Sequence, residues 1–185
     1  MAAFTALSLI VVTHPLPQVT LATAVVAVIA NLVGGITPDI DQPTAPFWKN
    51  LPIGNYVGRA FDKFLGGHRF LSHSILGAFI FGFAFHYILH VLTPSFPNLN
   101  MTIIWWSFMI GFGSHLIMDT LTREGVPWLL PIPIKFGIPP ISALRIQTGG
   151  LVERFIVFPG LFIVNIYIIA FYYDKIKLLF HSYLK

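Results

Sequence analysis

Gly66-Gly67-His68-Arg69-Phe70-Leu71-Ser72-His73-Ser74 sets two imidazoles five residues apart, directly before an apolar run that begins at Ile75. Imidazoles in that setting are either buried polar groups that need partners or metal ligands. Three more polar clusters stand at the ends of apolar segments: Asp39 with Asp41, His115 with Asp119, and Glu153. Carboxylates and imidazoles in a chain without cysteine are donors for Zn²⁺, Mn²⁺ or Fe²⁺. A structural zinc takes four donors. Asp39, Asp41, His68, His73, His115, Asp119 and Glu153 exceed that, which points to two ions, or to one with a rich outer shell. Paired metals ~3.5–4 Å apart are typical of phosphoester and amide hydrolysis. In that chemistry Asp41 or Glu153 is the bridging ligand or general base. Arg69 and Arg154, with Lys135 and Arg145, suit an anionic group such as phosphate, although arginine matches lipid headgroups in general.

Each cluster also has a plainer reading. Asp39 and Asp41 can be solvated turn residues or a helix cap. His115 and Asp119, at i and i+4 on one helical face, can satisfy one another with a hydrogen bond. Glu153 can form an interfacial ion pair with Arg154. His86 and His90 are also at i and i+4, but His90 lies 17 residues beyond His73, or ~25 Å along a helix. That pair reads as interfacial histidines near the opposite membrane face.

The elements that must position these groups follow from the apolar segments. The chain of 185 residues is 56% hydrophobic and 10% charged, against roughly 25% charged in soluble domains. It reads as an all-α integral membrane protein, one domain over residues 1–185, a bundle of about four to five transmembrane helices with a polar site on one side. Residues 19–36, 75–92, 101–121 and 155–173 are the spans. Residues 1–12 are too short for a full span, and no Lys or Arg precedes them, which argues against a cleaved signal peptide. The two prolines around Asp39-Ile40-Asp41 predict extended backbone, with both carboxylates pointing the same way. Residues 56–65 read as an amphipathic surface helix, with Trp48, Tyr56, Phe61 and Phe64 at the water–lipid boundary. Residues 132–138 read as one short hairpin arm.

Connectivity then gathers the clusters. The span 19–36 exits at Asp39 and Asp41, 75–92 enters from that side, 101–121 returns to it with His115 and Asp119, and 155–173 leaves from it past Glu153. All seven donors therefore belong at one face. The loops on that side carry Lys49, Arg59, Lys63, Arg69, Arg123, Lys135, Arg145 and Arg154, while the turn 93–100 carries no charge. The positive-inside rule makes the face cytoplasmic, in a multi-pass inner or plasma membrane protein. The tail, with Lys175, Lys177 and Lys185, runs against that orientation. No Lys/Arg run resembles a nucleic-acid patch.

Pro38-Asp39-Ile40-Asp41, Gly67-His68-Arg69 with His73-Ser74, Ser114-His115 with Asp119, Thr122 and Gly125, and Gly149/Gly150 before Glu153-Arg154-Phe155 together resemble the YdjM-like family. Its members are bacterial and archaeal inner-membrane proteins described as metal-dependent hydrolases, one of them LexA-regulated. The resemblance covers roughly residues 34–158. It implies a helical membrane protein with a His/Asp metal site, and a distant similarity to zinc-dependent phospholipases C implies a phosphoester substrate. The family's early histidine has no clear counterpart: His14 stands in a Thr-His-Pro loop too close to Asp39. Phe70 and Ser72 replace a Gly and a Thr common among relatives, and neither change removes a ligand.

Two functions follow as expectations. The first is a membrane-embedded hydrolase with one or two divalent ions, zinc by donor type with manganese or iron as alternatives, cleaving a phosphoester or lipid-type ester at the cytoplasmic face of the membrane. The second is a non-catalytic membrane protein, a metal or proton carrier or a regulatory scaffold. An intramembrane zinc protease is disfavoured, because His115-Leu116-Ile117-Met118-Asp119 lacks the Glu and second His of His-Glu-x-x-His.

Overall fold

The computed structural model describes residues 1–185 except 14–18, 65, 67, 68, 133 and 175–185. Seven α-helices are described: α1 (Ala2–Thr13), α2 (Leu21–Ile36), α3 (Pro46–Lys49), α4 (Gly54–Phe64), α5 (Ile75–Leu92), α6 (Met101–Thr120) and α7 (Phe158–Phe171). No strand occurs among the described residues. Single antiparallel and parallel bridges join Val126 to Phe136 and Thr122 to Ile146. The hairpin arm expected at 132–138 is thus reduced to one bridge, in a segment too rich in proline to extend it.

Three helical stretches are long and apolar enough to cross a membrane: Ile75–Ser95, Met101–Thr120 and Glu153–Phe171. The shorter apolar helices α1 and α2 complete an all-helical membrane protein. Its outer surface carries the apolar side chains that lipid requires. Phe79, Phe83 and Tyr87 on α5 and Phe162, Ile163 and Tyr167 on α7 are all exposed.

Local signals set the helix starts. Thr20, Ser74 and Asn100 precede α2, α5 and α6, and each side chain accepts a hydrogen bond from the backbone N–H three residues on. Those caps satisfy orphan donors at the first turn. Ser74 matters most here, because it fixes where His73 sits relative to α5.

The central helix is α6. Its Ile104, Phe108, Phe112 and Leu116 recur every four residues and are almost fully buried. Phe85 of α5 stacks on Phe108 at 4.3 Å between ring centroids, and the Trp105 indole N–H donates to the Gly82 carbonyl at 2.8 Å. On the other flank α2 runs parallel to α6. The Asn100 N–H donates to Thr23 Oγ1, Asn31 Nδ2 donates to the Ser107 carbonyl, and His115 meets the carbonyl of Gly35. Small residues permit this approach: a Cβ at Gly34 would overlap the Phe108 carbonyl, and one at Gly111 the Asn31 carbonyl. Close backbone packing of this kind replaces the hydrophobic effect as the driving force between helices in lipid. Helix α7 packs on α1, where Asn165 Nδ2 donates to Thr5 Oγ1 at 2.7 Å.

Two local expectations are corrected. Pro38–Asp41 is a 3₁₀ turn, not extended backbone. Proline's fixed φ suits the first position of such a turn as well as it suits a strand. At three residues per turn Asp39 and Asp41 point in different directions. Trp48 is not at the water–lipid boundary: it is buried, and its indole N–H donates to the Ile40 carbonyl at 3.0 Å, inside that 3₁₀ turn.

Candidate metal centre

The C-terminal ends of α2 and α6 and the lead-in to α5 converge on one polar cluster. From α6 come His115 and Asp119. From the turn after α2 come Asp39 and Asp41. From the turn before α5 come Arg69, Ser72 and His73. One donor atom from each of Asp39, His73 and His115 lies within 4.8 Å of the other two. Asp119 Oδ2 lies 3.2 Å from His73 Nε2 and 3.6 Å from His115 Nε2. Asp39 Oδ1 is 3.6 Å from His115 Nε2. Donors at the corners of a tetrahedron, each about 2.0–2.1 Å from an ion, stand about 3.3 Å apart. The measured separations bracket that edge length.

Both imidazoles are turned so that Nε2 faces this group. His115 Nδ1 is 2.7 Å from the Gly35 carbonyl oxygen. A carbonyl only accepts, so Nδ1 carries the proton, and in the neutral ring Nε2 presents a lone pair. His73 Nδ1 faces Ser72 Oγ at 2.9 Å and Asp41 Oδ2 at 3.3 Å. Ser72 donates its own hydroxyl proton to Asp41, so its oxygen is left to accept from Nδ1. Carbonyl or carboxylate behind, Nε2 in front, is how metal-binding histidines are held. Among the described residues His115 Nε2 is a buried atom without a hydrogen-bond partner, 3.6 Å from a carboxylate oxygen of Asp39 and of Asp119. Buried polar atoms rarely stay unmatched, and a cation among them resolves the mismatch.

Electrostatics agree with a site built for positive charge. Burial disfavours a charged His73, but hydrogen bonds to Asp119 and Asp41 and their negative charge outweigh it, holding the imidazole above the ordinary histidine range. A proton on His73 thus does in part what a metal ion would do, and the two compete.

Arg69 organises the second wall. Its φ of 57° is left-handed, a conformation that costs a non-glycine residue roughly 1–2 kcal/mol. In compensation its N–H donates to Asp41 Oδ2 at 2.9 Å and Nη1 to Thr122 Oγ1 at 2.7 Å. Nη2 lies 3.0 Å from Asp119 Oδ2, and Nε 3.4 Å from Glu124 Oε2. The guanidinium is buried and engaged with protein carboxylates, which fixes Asp119 rather than leaving a free anion site.

Of the expected donors, the structure brings together Asp39, His73, His115 and Asp119, with Asp41 behind His73. His68 lies outside the described residues. Glu153 begins a π-helical turn and accepts from the Gly149 N–H at 2.6 Å, apart from the donor group. Arg154 is exposed and stands over the Phe155 ring at 6.0 Å. Three participants were given no role from the sequence: the Gly35 carbonyl, Ser72 and Thr122. The signal for Gly35 was present, since Gly34-Gly35 ends α2 where His115 must approach. A backbone acceptor has no side chain to announce it.

The position of Asp41 gives a direct expectation. Asp41→Asn keeps the shape but removes the charge that orients His73 Nδ1–H, and metal affinity is expected to fall 10–100-fold. Competition with a chelator of known affinity measures it.

The family model described as YdjM inner membrane protein matches residues 1–178. The chain is 30% identical over 140 residues to YvsG of Bacillus subtilis (strain 168), described as uncharacterized, covering 75% of this chain and 74% of that one. It is 33% identical over 122 residues to the inner membrane protein YdjM of Escherichia coli (strain K12), covering 65% and 56% respectively. The protein of the same name from Shigella flexneri gives the same figures. The chain thus spans about three quarters of YvsG and little more than half of YdjM. No solved structure matches.

Proposed function

The chain belongs to the YdjM family of inner membrane proteins, and from that premise we propose that it is a membrane-bound, metal-dependent hydrolase. A divalent ion, zinc by donor type, would be held by His73 and His115 through Nε2 and by Asp39 and Asp119. The observation that carries this reading is the fixed tautomer of His115: Nδ1–H is committed to Gly35, and Nε2 turns a lone pair toward Asp119 and Asp39 at 3.6 Å. A bound ion would supply Lewis acidity, polarising an ester oxygen and acidifying water.

The residues divide the remaining work by exposure. Asp41 is fully buried and holds His73 in orientation. Asp119 is 13% exposed and locked by Arg69, while Asp39 is 40% exposed. Asp39 is therefore the ligand that entering water meets first. Asp41 and Glu153, the bases expected from the sequence, lack that placement. The site opens at the ends of the helices, on the face that the Lys and Arg distribution assigns to the cytoplasm.

A carrier would need polar groups through the depth of the bundle. Beyond the cluster the polar side chains buried between α2 and α6, Asn31, Ser107 and Thr23, carry no charge, and Phe112, Phe108 and Ile104 fill the rest, which supports a one-sided ionisable site. The test is turnover. Metal-loaded protein in vesicles is expected to hydrolyse a chromogenic phosphodiester or a phospholipid, and His115→Ala to fall to background. An equal rate from His115→Ala, or none from fully loaded wild type on either substrate, would overturn the proposal.

A further inference from the structure

The turn that carries Asp39 and Asp41 is braced from outside. Trp48 reaches under it and bonds the Ile40 carbonyl. Helix α4 lies against Trp48 in turn. A Cβ at Gly58 would come within 3.0 Å of the indole and of the Pro43 backbone, and one at Gly54 would overlap the Trp48 carbonyl. The two glycines, one helical turn apart, let α4 lie flat on this brace.

On the outer side of the same wall is a cavity of about 260 Å³ lined by Pro43, Thr44, Lys49 and Arg59. Among the described residues its lining holds two cations and a hydroxyl, and no carboxylate. Lys49 and Arg59 are exposed, and among the described residues neither forms an ion pair. Pro43, which lines the cavity, follows Asp41 by two residues, so the cavity borders the end of the turn that carries Asp39 and Asp41. Around it Leu51, Ile53 and Tyr56 are exposed, the last two by more than 70%. Apolar and aromatic side chains beside basic ones are what a helix lying in the headgroup layer presents.

We propose that Lys49, Arg59 and Thr44 form a phosphate-recognition subsite that holds a phosphoester at the water–lipid boundary, next to the turn that carries Asp39 and Asp41. The guanidinium offers a planar pair of donors, the ammonium a point charge and the threonine a hydroxyl, which together match a phosphodiester anion. The term substrate for that anion rests on the hydrolase reading; the binding site itself does not. The phosphate comes either from a lipid headgroup or from a soluble phosphoester.

The experiment uses the full chain, metal-loaded, in detergent. Binding of phosphatidylglycerol is titrated by native mass spectrometry for wild type, Lys49→Ala/Arg59→Ala and the charge-keeping Lys49→Arg/Arg59→Lys. Glycerol 3-phosphate is the soluble competitor and diacylglycerol the phosphate-free control. The alanine pair is expected to weaken lipid binding about tenfold or more, the charge-keeping pair to restore most of it, and bound metal to stay at the wild-type level. Displacement by glycerol 3-phosphate would assign the site to soluble phosphoesters, and resistance to it would assign it to the lipid; either result upholds phosphate recognition. Unchanged phosphatidylglycerol binding by the alanine pair, or equal binding of diacylglycerol, would overturn it. Loss of binding in the alanine pair with no turnover by wild type would keep the subsite and remove the hydrolase reading alone.

Discussion

Gly111→Leu is expected to strip the protein of its metal and to lower its stability in detergent, although residue 111 has no side chain and is not itself a proposed ligand. A Cβ there would fall on the Asn31 carbonyl oxygen and within 2.9 Å of the Gly35 nitrogen. Those are backbone atoms of α2, so no side-chain rotation relieves the clash, and α2 must move off α6. Overpacking of this kind costs about 1–3 kcal/mol and occasionally more. The Asn31–Ser107 hydrogen bond, worth about 0.6 kcal/mol between membrane helices, is lost as well. The functional effect is larger than the stability effect. Moving α2 withdraws the Gly35 carbonyl from His115 Nδ1 and carries Asp39 away with it, so a support and a ligand go together. A loss of metal affinity of about 100-fold or more follows, at the upper end of what outer-shell changes produce. Gly113→Leu is the control: nothing lies within 4 Å of a Cβ there, and it should bind metal as wild type does. Equal behaviour of the two variants would mean that the α2–α6 approach does not build the site.

How much of this was legible in the sequence depends on the residue. Apolar runs announced α5, α6 and the final helix almost to their ends, because a membrane span leaves a long uniform signal. Connectivity alone then placed Asp39, His73, His115 and Asp119 at one end of the bundle, and the structure brings these four together. The turn at Pro38–Asp41 was misread because proline's φ is shared by strands, 3₁₀ turns and helix starts. That error hid the division between Asp39, which faces His115 Nε2, and Asp41, which lies behind His73. Arg69 was read as an anion binder from its charge. Its tertiary partners Asp119, Thr122 and Glu124, some 50 residues away in the chain, turn it inward instead. Trp48 was assigned to the lipid boundary by residue type, yet its indole bonds the Ile40 carbonyl and packs against Gly58 of α4. Long-range partners and backbone acceptors such as the Gly35 carbonyl leave no periodicity to read.

The second large effect is the loss of both imidazoles. His73 and His115 approach from different helical segments, with ring centroids 5.4 Å apart, and supply the neutral nitrogen donors that distinguish a transition-metal site from a cluster of acids. Without them Asp39 and Asp119 remain as two oxygen donors, one already paired with Arg69, which is too few to retain zinc against a chelator. The side chains removed lie at the end of the bundle, away from the Phe108–Phe112 core, so the folded helices should persist. The most direct measurement is therefore bound metal per chain, by elemental analysis of detergent-purified protein, for wild type beside His73→Ala/His115→Ala. About one equivalent in wild type and almost none in the folded double variant is the predicted result. Folded wild-type protein that takes up no metal when it is offered, or a double variant that keeps it, would contradict a metal centre at this site.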